Sequence, residues 1–291
     1  MAASQTHRWG HIIGEVFEAA VLPVLEKFAK ENGLYLDKQG VRLCRKGRKC
    51  TWVDSKGNAH DLDFVLERNG TPDKVGTPVA FIETAWRRYT KHSRNKAQEI
   101  QGALVPLSDT YNGSAPFKGA ILAGVFTEGA RTQLQSLGFT LLYFPYEMIL
   151  QAFQAFGIDA SFDEHTAESA VRAKIRKYKG LSSRCREEIE AELIGLNAPQ
   201  VKLFLGALSA TVSRRIDCII VLPLYGATTK WATLDEALAF IKEQDGRSTQ
   251  GPFQRYEIQI RYSNGDSIDG KFVDKLGAIE FLETYKAKPE D

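Results

Sequence analysis

The chain lacks any apolar run of about 18 residues or more, the length a membrane-spanning helix requires. It also lacks a basic-then-apolar leader: the N-terminal MAASQTHRWGH has neither part in order. The expectation is a cytoplasmic protein with no membrane association. Cysteine is scarce, with four residues scattered at Cys44, Cys50, Cys185 and Cys218. Cys44 and Cys50 lie near each other, but no Cys or His follows at zinc spacing, so reduced, mostly buried thiols are expected. There is no internal repeat, no low-complexity tract, no P-loop, no GxGxxG and no nucleophile elbow, which removes support for nucleotide-driven and acyl-transfer chemistry. Charge of one sign is missing too: 38 Lys and Arg against 36 Asp and Glu leave a net +2. That total neither demands nor forbids nucleic acid, so the placement of charge has to decide.

What is present suits a globular fold. The 291 residues, 43% hydrophobic and 25% charged, are enough for one large domain or two smaller ones. Ile13, Phe17, Val21, Val24, Leu25 and Phe28 recur at helical spacing, predicting a helix over 10–32 with Pro23 as a kink. A basic stretch, Lys38 to Lys49, is either a solvated loop or a phosphate-contacting surface. Three strand candidates follow, at 51–54, 59–67 and 78–84, separated by turn-rich breaks and read together as an antiparallel meander. In the second, Leu62, Phe64 and Leu66 alternate with Asp61, Asp63 and Val65. A helix at 93–107 leads into strand 117–126, helix 128–137, strand 138–144 and helix 146–156, a βαβα order that favours parallel pairing. Residues 163–194 are helical and highly charged. From about Pro199 a second unit is expected, with a β-α-β-β-α pattern: strand 218–224, helix 233–244, strands 255–262 and 267–272 around the Asn264-Gly265 turn, and helix 275–285.

Acidic residues fall at particular points in this order. Glu15 and Glu18 lie on the first helix, Asp61 and Asp63 on one face of the second strand, and Glu83 at the end of the third. Adjacent strands bring Asp63 and Glu83 side by side. A dense basic run, Arg87, Arg88, Lys91, Arg94 and Lys96, follows at once.

On GEVFEAAV in the first helix, HDLDFVLE in the second strand and FIETAWRRYTKHSRNKAQE from the third strand onward, residues 8–157 resemble the PD-(D/E)XK nuclease superfamily. The resemblance implies a restriction-endonuclease-like αβββαβ core at 1–160; with the pattern of the later elements the chain reads as α/β (α+β mixed), the core followed by a charged helical connector at 161–198 and a small α/β module at 199–291 of unknown role, DNA recognition or dimerisation. It implies a metal-dependent DNA endonuclease hydrolysing phosphodiester bonds, most naturally a bacterial restriction or defence enzyme. Asp63 and Glu83 would bind Mg2+, with Mn2+ as a substitute and Glu18 assisting. The sequence departs from the family pattern in two places: Leu62 replaces the proline before the aspartate, and Ala85 stands where the Glu-x-Lys lysine belongs. Some family members supply that lysine from the following helix, which nominates Lys91 and Lys96. Arg87, Arg88, Arg94, Arg45 and Lys46 would contact DNA. The implied partners are DNA, a second copy or paired action for double-strand cutting, and a methyltransferase or defence-system subunit.

Blander readings exist for each residue. Asp61 and Asp63 suit the wet face of an edge strand, Glu83 and Arg87 a helix-start charge pair, and Glu15 and Glu18 the polar side of an amphipathic helix. His92 suits a phosphate contact or the surface, and Trp86 and Tyr89 suit core packing or base stacking. The basic helix at 172–179 suits either a phosphate backbone or an interdomain surface. A catalytically silent nucleic-acid-binding or assembly protein, and a junction-resolving repair nuclease, stay open beside the defence nuclease.

Overall fold

The computed structural model describes residues 4–114, 116–224, 229–243 and 253–286. The chain is mixed α/β and divides into two compact units, Met1–Ser209 and Ala210–Asp291.

The first unit opens with α1 (Gln5–Glu31), begun by Ser4, whose hydroxyl accepts from the His7 amide and satisfies one of the exposed N–H groups of the first turn. Its apolar stripe from Trp9 to Ala29 is buried, and Pro23 lies inside the helix. A strand that periodicity did not reveal, β1 (Tyr35–Lys38), follows. Next come β2 (Cys50–Val53) and β3 (Ala59–Leu62), paired only with each other, then β4 (Phe64–Arg68) and β5 (Thr77–Arg87). The single strand expected over 59–67 is therefore two strands broken at Asp63. The reason lies in burial: Phe64, Val65, Leu66 and Glu67 are all buried, so β4 is covered on both faces, while β3 alternates as a peripheral hairpin strand does.

The unit continues with α2 (Ser93–Thr110), β6 (Phe117–Gly124), α3 (Glu128–Ser136), β7 (Thr140–Pro145) and α4 (Tyr146–Gln154). Five strands form the main sheet in the order β1-β4-β5-β6-β7. The β1–β4 and β4–β5 pairs are antiparallel, and β5–β6 and β6–β7 are parallel, as the βαβα order predicted. On one face α2, α3 and the β2–β3 hairpin bury Trp52, Phe81, Ile100, Leu104, Leu122 and Leu134 in one cluster. On the other face α1 packs along β5, and its Phe17 meets Phe144 of β7 edge-on at 5.5 Å.

The charged segment forms α5 (Glu168–Lys179) and α6 (Ser183–Leu196). These are not a separate connector. Both pack on α1, and α6 packs on α4 as well. Trp9 lies 5.7 Å from Phe153 and 6.2 Å from Tyr178, which ties α1, α4 and α5 together. Of the basic residues of α5 that are candidates for a phosphate surface, Arg172, Arg176 and Lys179 are exposed, while two are tied to the fold. Lys174 bonds the Asp159 carboxylate at 2.7 Å, and Lys177 bonds the Gly157 carbonyl. A further helix, α7 (Ala198–Val212), occupies the start of the expected second unit and spans the boundary.

The second unit holds β8 (Ile216–Pro223), β9 (Thr229–Trp231), α8 (Leu234–Glu243), β10 (Tyr256–Tyr262), β11 (Ser267–Phe272) and α9 (Lys275–Thr284). The expected helix end at Gln244 lies outside the described residues. The antiparallel sheet runs β11-β10-β8-β9, with β9 an addition to the expected pattern. Ile219, Val221, Ile258 and Ile260 face Leu238, Ile241 and Leu282 of the helices in a core of the unit's own. The Asn264-Gly265 turn is there, with Gly265 at φ 90° taking the left-handed position of a three-residue hairpin loop.

Among the described residues no single helix is long and apolar enough to cross a membrane. All four cysteines are free, and only Cys50 is fully buried; the other three are half-buried, more open than expected.

Candidate active site

The site is built where the main sheet loses a neighbour. Pairing of β4 with β5 begins at Phe64 opposite Ile82. Beyond Ile82, β5 continues to Arg87 against β6, while the chain on its other side has turned away at Asp63 into the peripheral hairpin. Backbone groups that a strand would have paired must find other partners. The Thr84 amide donates to Asp63 Oδ2 at 2.7 Å, and the Thr84 hydroxyl donates to the same oxygen at 2.8 Å. The Asp63 amide in turn donates to Glu83 Oε1 at 3.1 Å. The two carboxylates are thus locked to each other's strands.

Alternation along β5 sends successive side chains to opposite faces. Phe81 packs with Trp52 on the α2 face, so Glu83 points that way and meets Lys96 of α2, whose Nζ is 3.8 Å from Glu83 Oε2. Thr84 and Trp86 point toward α1, where Trp86 lies against Gly10 and Gly14. Glu18 of α1 lines the same cleft as Asp63, Thr84 and Lys96, a space of about 1090 Å³.

Electrostatics mark this place. Glu83 is 7% exposed, and its carboxyl is pushed up to about 8 by burial first and by the Asp63 charge second, with Lys96 opposing. Glu18 is also raised, by burial and then by Asp63. Two carboxylates acting on each other, a third acting on both, and one ammonium at 3.8 Å leave local negative charge undercompensated. An all-oxygen, anionic donor set of this kind suits a hard divalent cation such as Mg2+. No group of three or more His, Cys, Asp and Glu side chains is arranged around a metal among the described residues. Magnesium uses one or two carboxylates with water and phosphate completing its shell, which a pair satisfies.

The remaining sequence candidates divide. Lys91 turns away and pairs with Glu164 at 3.0 Å, both side chains exposed, so of the two candidate lysines Lys96 is the one beside Glu83. Arg87 lines the cleft, donating to the Trp86 carbonyl at 2.8 Å and lying 3.9 Å from Glu99. Arg88 also lines it, but its guanidinium stacks 4.2 Å over Tyr146 and donates to the Phe162 carbonyl, a packing role. Arg94 and Lys46 are exposed outside the cleft lining. Asp61 is bound by Lys49 and Thr51 on the peripheral hairpin, and Glu15 pairs with His11 at 3.3 Å. His92 lines the cleft, while Ser93 is buried and bonds the Thr90 carbonyl. Arg45 is committed to Asp37 at 2.5 Å, so its charge is spent inside the protein.

Sequence reasoning missed the buried cluster that consumes Arg45. Arg42 makes a two-pronged bond to Glu67 at 2.5 and 2.9 Å and pairs with Asp37 at 2.9 Å, all three buried. The signal was weak: one acid in β1 beside the basic stretch, and one in β4, with β2 and β3 between. His7 and His11 of α1 also line the cleft and were not singled out.

No family model and no curated protein matches the chain. Among solved structures it is similar to the crystal structure of a protein of unknown function, AF1548, at 13% identity and a TM-score of 0.29, over 63% of this chain and 99% of that one. A likeness of that strength fixes neither fold nor function.

Proposed function

We propose that the first unit is a metal-dependent DNA endonuclease of the PD-(D/E)XK type, with a restriction-endonuclease-like core. One observation carries this reading: Asp63, which lines the cleft, is tied to the buried Glu83 behind it, with Lys96 of the cleft lining reaching Glu83 from the following helix at 3.8 Å. Asp63 and Glu83 would hold Mg2+, with Glu18 facing the same cleft rather than completing a three-carboxylate cluster. When bound, the ion neutralises phosphate charge and makes water a better nucleophile at neutral pH. The chain's own part is to position and to balance charge. Thr84 fixes one oxygen of Asp63 and leaves the other to the cleft. Lys96 carries a positive charge where the attacked phosphate gathers negative charge, standing in for the lysine that Ala85 cannot supply. Arg87 and His92 lie along the same cleft for phosphate contact. A role in restriction or defence, with DNA as the substrate and a second copy for double-strand cutting, follows from the same reading. The alternative is a silent DNA-binding module, favoured by Ala85 alone.

The test is cleavage of unmethylated phage or plasmid DNA in magnesium by wild type, Asp63→Ala and Glu83→Ala. Discrete fragments from wild type, lost in both variants and on chelation, are the expected result. Cleavage persisting in both variants overturns the site, and salt-sensitive binding without cleavage by all three selects the silent module.

A further inference from the structure

The 39–49 loop stands beside the cleft and is built in an unusual way. Its neck is closed by the Gly40 amide donating to the Arg48 carbonyl at 2.7 Å. Its centre is pinned by Arg42, which is 4% exposed and bonds Glu67, the Thr71 carbonyl and the Lys74 carbonyl, the last at 2.8 Å. The Leu43 amide is held by the Pro72 carbonyl at 3.0 Å. With Arg42 drawn inward, its neighbours turn outward: Val41 and Leu43 are each 79% exposed. One exposed aliphatic residue is ordinary. Two on one fixed loop, with Val75 of the adjoining turn 48% exposed, form an apolar tip that the fold holds in water.

Cations outnumber acids on the loop and the turn it meets, where Asp73 is the neighbouring exposed acid. Lys46, Arg48 and Lys74 are exposed and make no ion pair among the described residues. Apolar residues between cations fit a duplex: the cations take phosphates, and the apolar side chains wedge between base pairs from the minor groove. Position favours DNA over an anionic membrane surface. Gln39, where the loop begins, lines the same cleft as Asp63. Val41 is two residues on from Gln39, about 7 Å of chain at most.

We propose that the 39–49 loop is a duplex-engaging wedge in which Val41 and Leu43 enter a base step while Lys46 and Arg48 hold the flanking phosphates. The proposal deepens the nuclease reading and rests on it for the nearness of the wedge to the cut.

The experiment uses the full chain in chelator with mixed-sequence duplexes carrying an adenine analogue whose fluorescence rises on unstacking. Wild type is expected to raise the fluorescence. Val41→Ser with Leu43→Ser should abolish the rise and weaken binding on the order of tenfold or more. Lys46→Ala with Arg48→Ala should lower the slope of log affinity against log salt by about two. All four positions are exposed, so unchanged melting temperatures verify folding. A full rise from the double serine variant, or no rise from wild type, overturns the wedge. So does loss of binding to phosphatidylserine vesicles in that variant with duplex affinity unchanged, which would make the loop a membrane contact. Magnesium-dependent plasmid cleavage by the same proteins separates the two readings. Cleavage without unstacking sinks the wedge alone, and unstacking without cleavage sinks the nuclease alone.

Discussion

At the scale of single residues, Glu83 sets a pH dependence whose sign is fixed by its environment. Its carboxyl titrates near 4.5 when unfolded and is pushed up to about 8 when folded, mainly by burial. The folded protein therefore holds this proton more tightly. The stability it contributes is complete below the unfolded value and is lost as pH rises through about 8. In chelator, the melting temperature should fall between pH 5 and 8.5, and Glu83→Gln should flatten that fall; an identical slope in the variant would refute the assignment. The two lysines give a second expectation. Lys96→Ala should cost on the order of a hundredfold in cleavage rate, while Lys91→Ala should stay near wild type, measured under single-turnover conditions. The acids were legible in the sequence because strand order alone brings Asp63 beside Glu83. The choice of lysine was not. It depends on the short turn before α2, which aims Lys91 at Glu164 and Lys96 at Glu83. Nor was the fate of Arg42 and Arg45 legible: a run of cations looks the same from sequence whether acids from distant strands bury it or water covers it.

At the scale of elements, the close approach of β6 to β5 gives a sharp test. Gly124 ends β6 at φ 92°, and a Cβ there would sit 2.2 Å from the Arg87 carbonyl oxygen and 2.6 Å from the Trp86 ring. Gly124→Ala should destabilise by about 2 kcal/mol or more and disturb the cleft wall formed by Trp86 and Arg87. Gly102, on the exposed face of α2 with nothing near it, should behave oppositely. Gly102→Ala should add about 0.5–1 kcal/mol. Denaturant melts check both. Most elements were readable from periodicity, since α1, α2 and the βα repeats pair a clear apolar stripe with turn residues. The failures share a cause. Residues 59–67 alternate plausibly throughout, and only the two-sided burial of β4 forces the break at Asp63. The short strands β1 and β9 carry too few residues to display a period.

At the scale of the whole molecule, each unit has a core of its own. Scanning calorimetry should resolve two transitions. Ile260→Ala, at a fully buried position of the second unit, should lower one of them by about 2–5 kcal/mol and leave the other in place. A single transition moving as a whole would refute that independence. The expected connector was misplaced because charge content suggested a solvated linker. Its few apolar residues, Val171, Ile175, Ile189 and Leu193, are spaced to give each helix one buried side. The way α1 is covered also bears on synthesis. Trp9 leaves the ribosome early, but Phe153 and Tyr178, which enclose it, are made some 140 to 170 residues later. At ribosomal speed that interval is roughly ten to thirty seconds. Throughout it the side of the first helix that α5 and α6 cover lacks its native partners, although β1 and β5 are already made, so that side of the nascent helix is a natural client for chaperones that shield exposed helices.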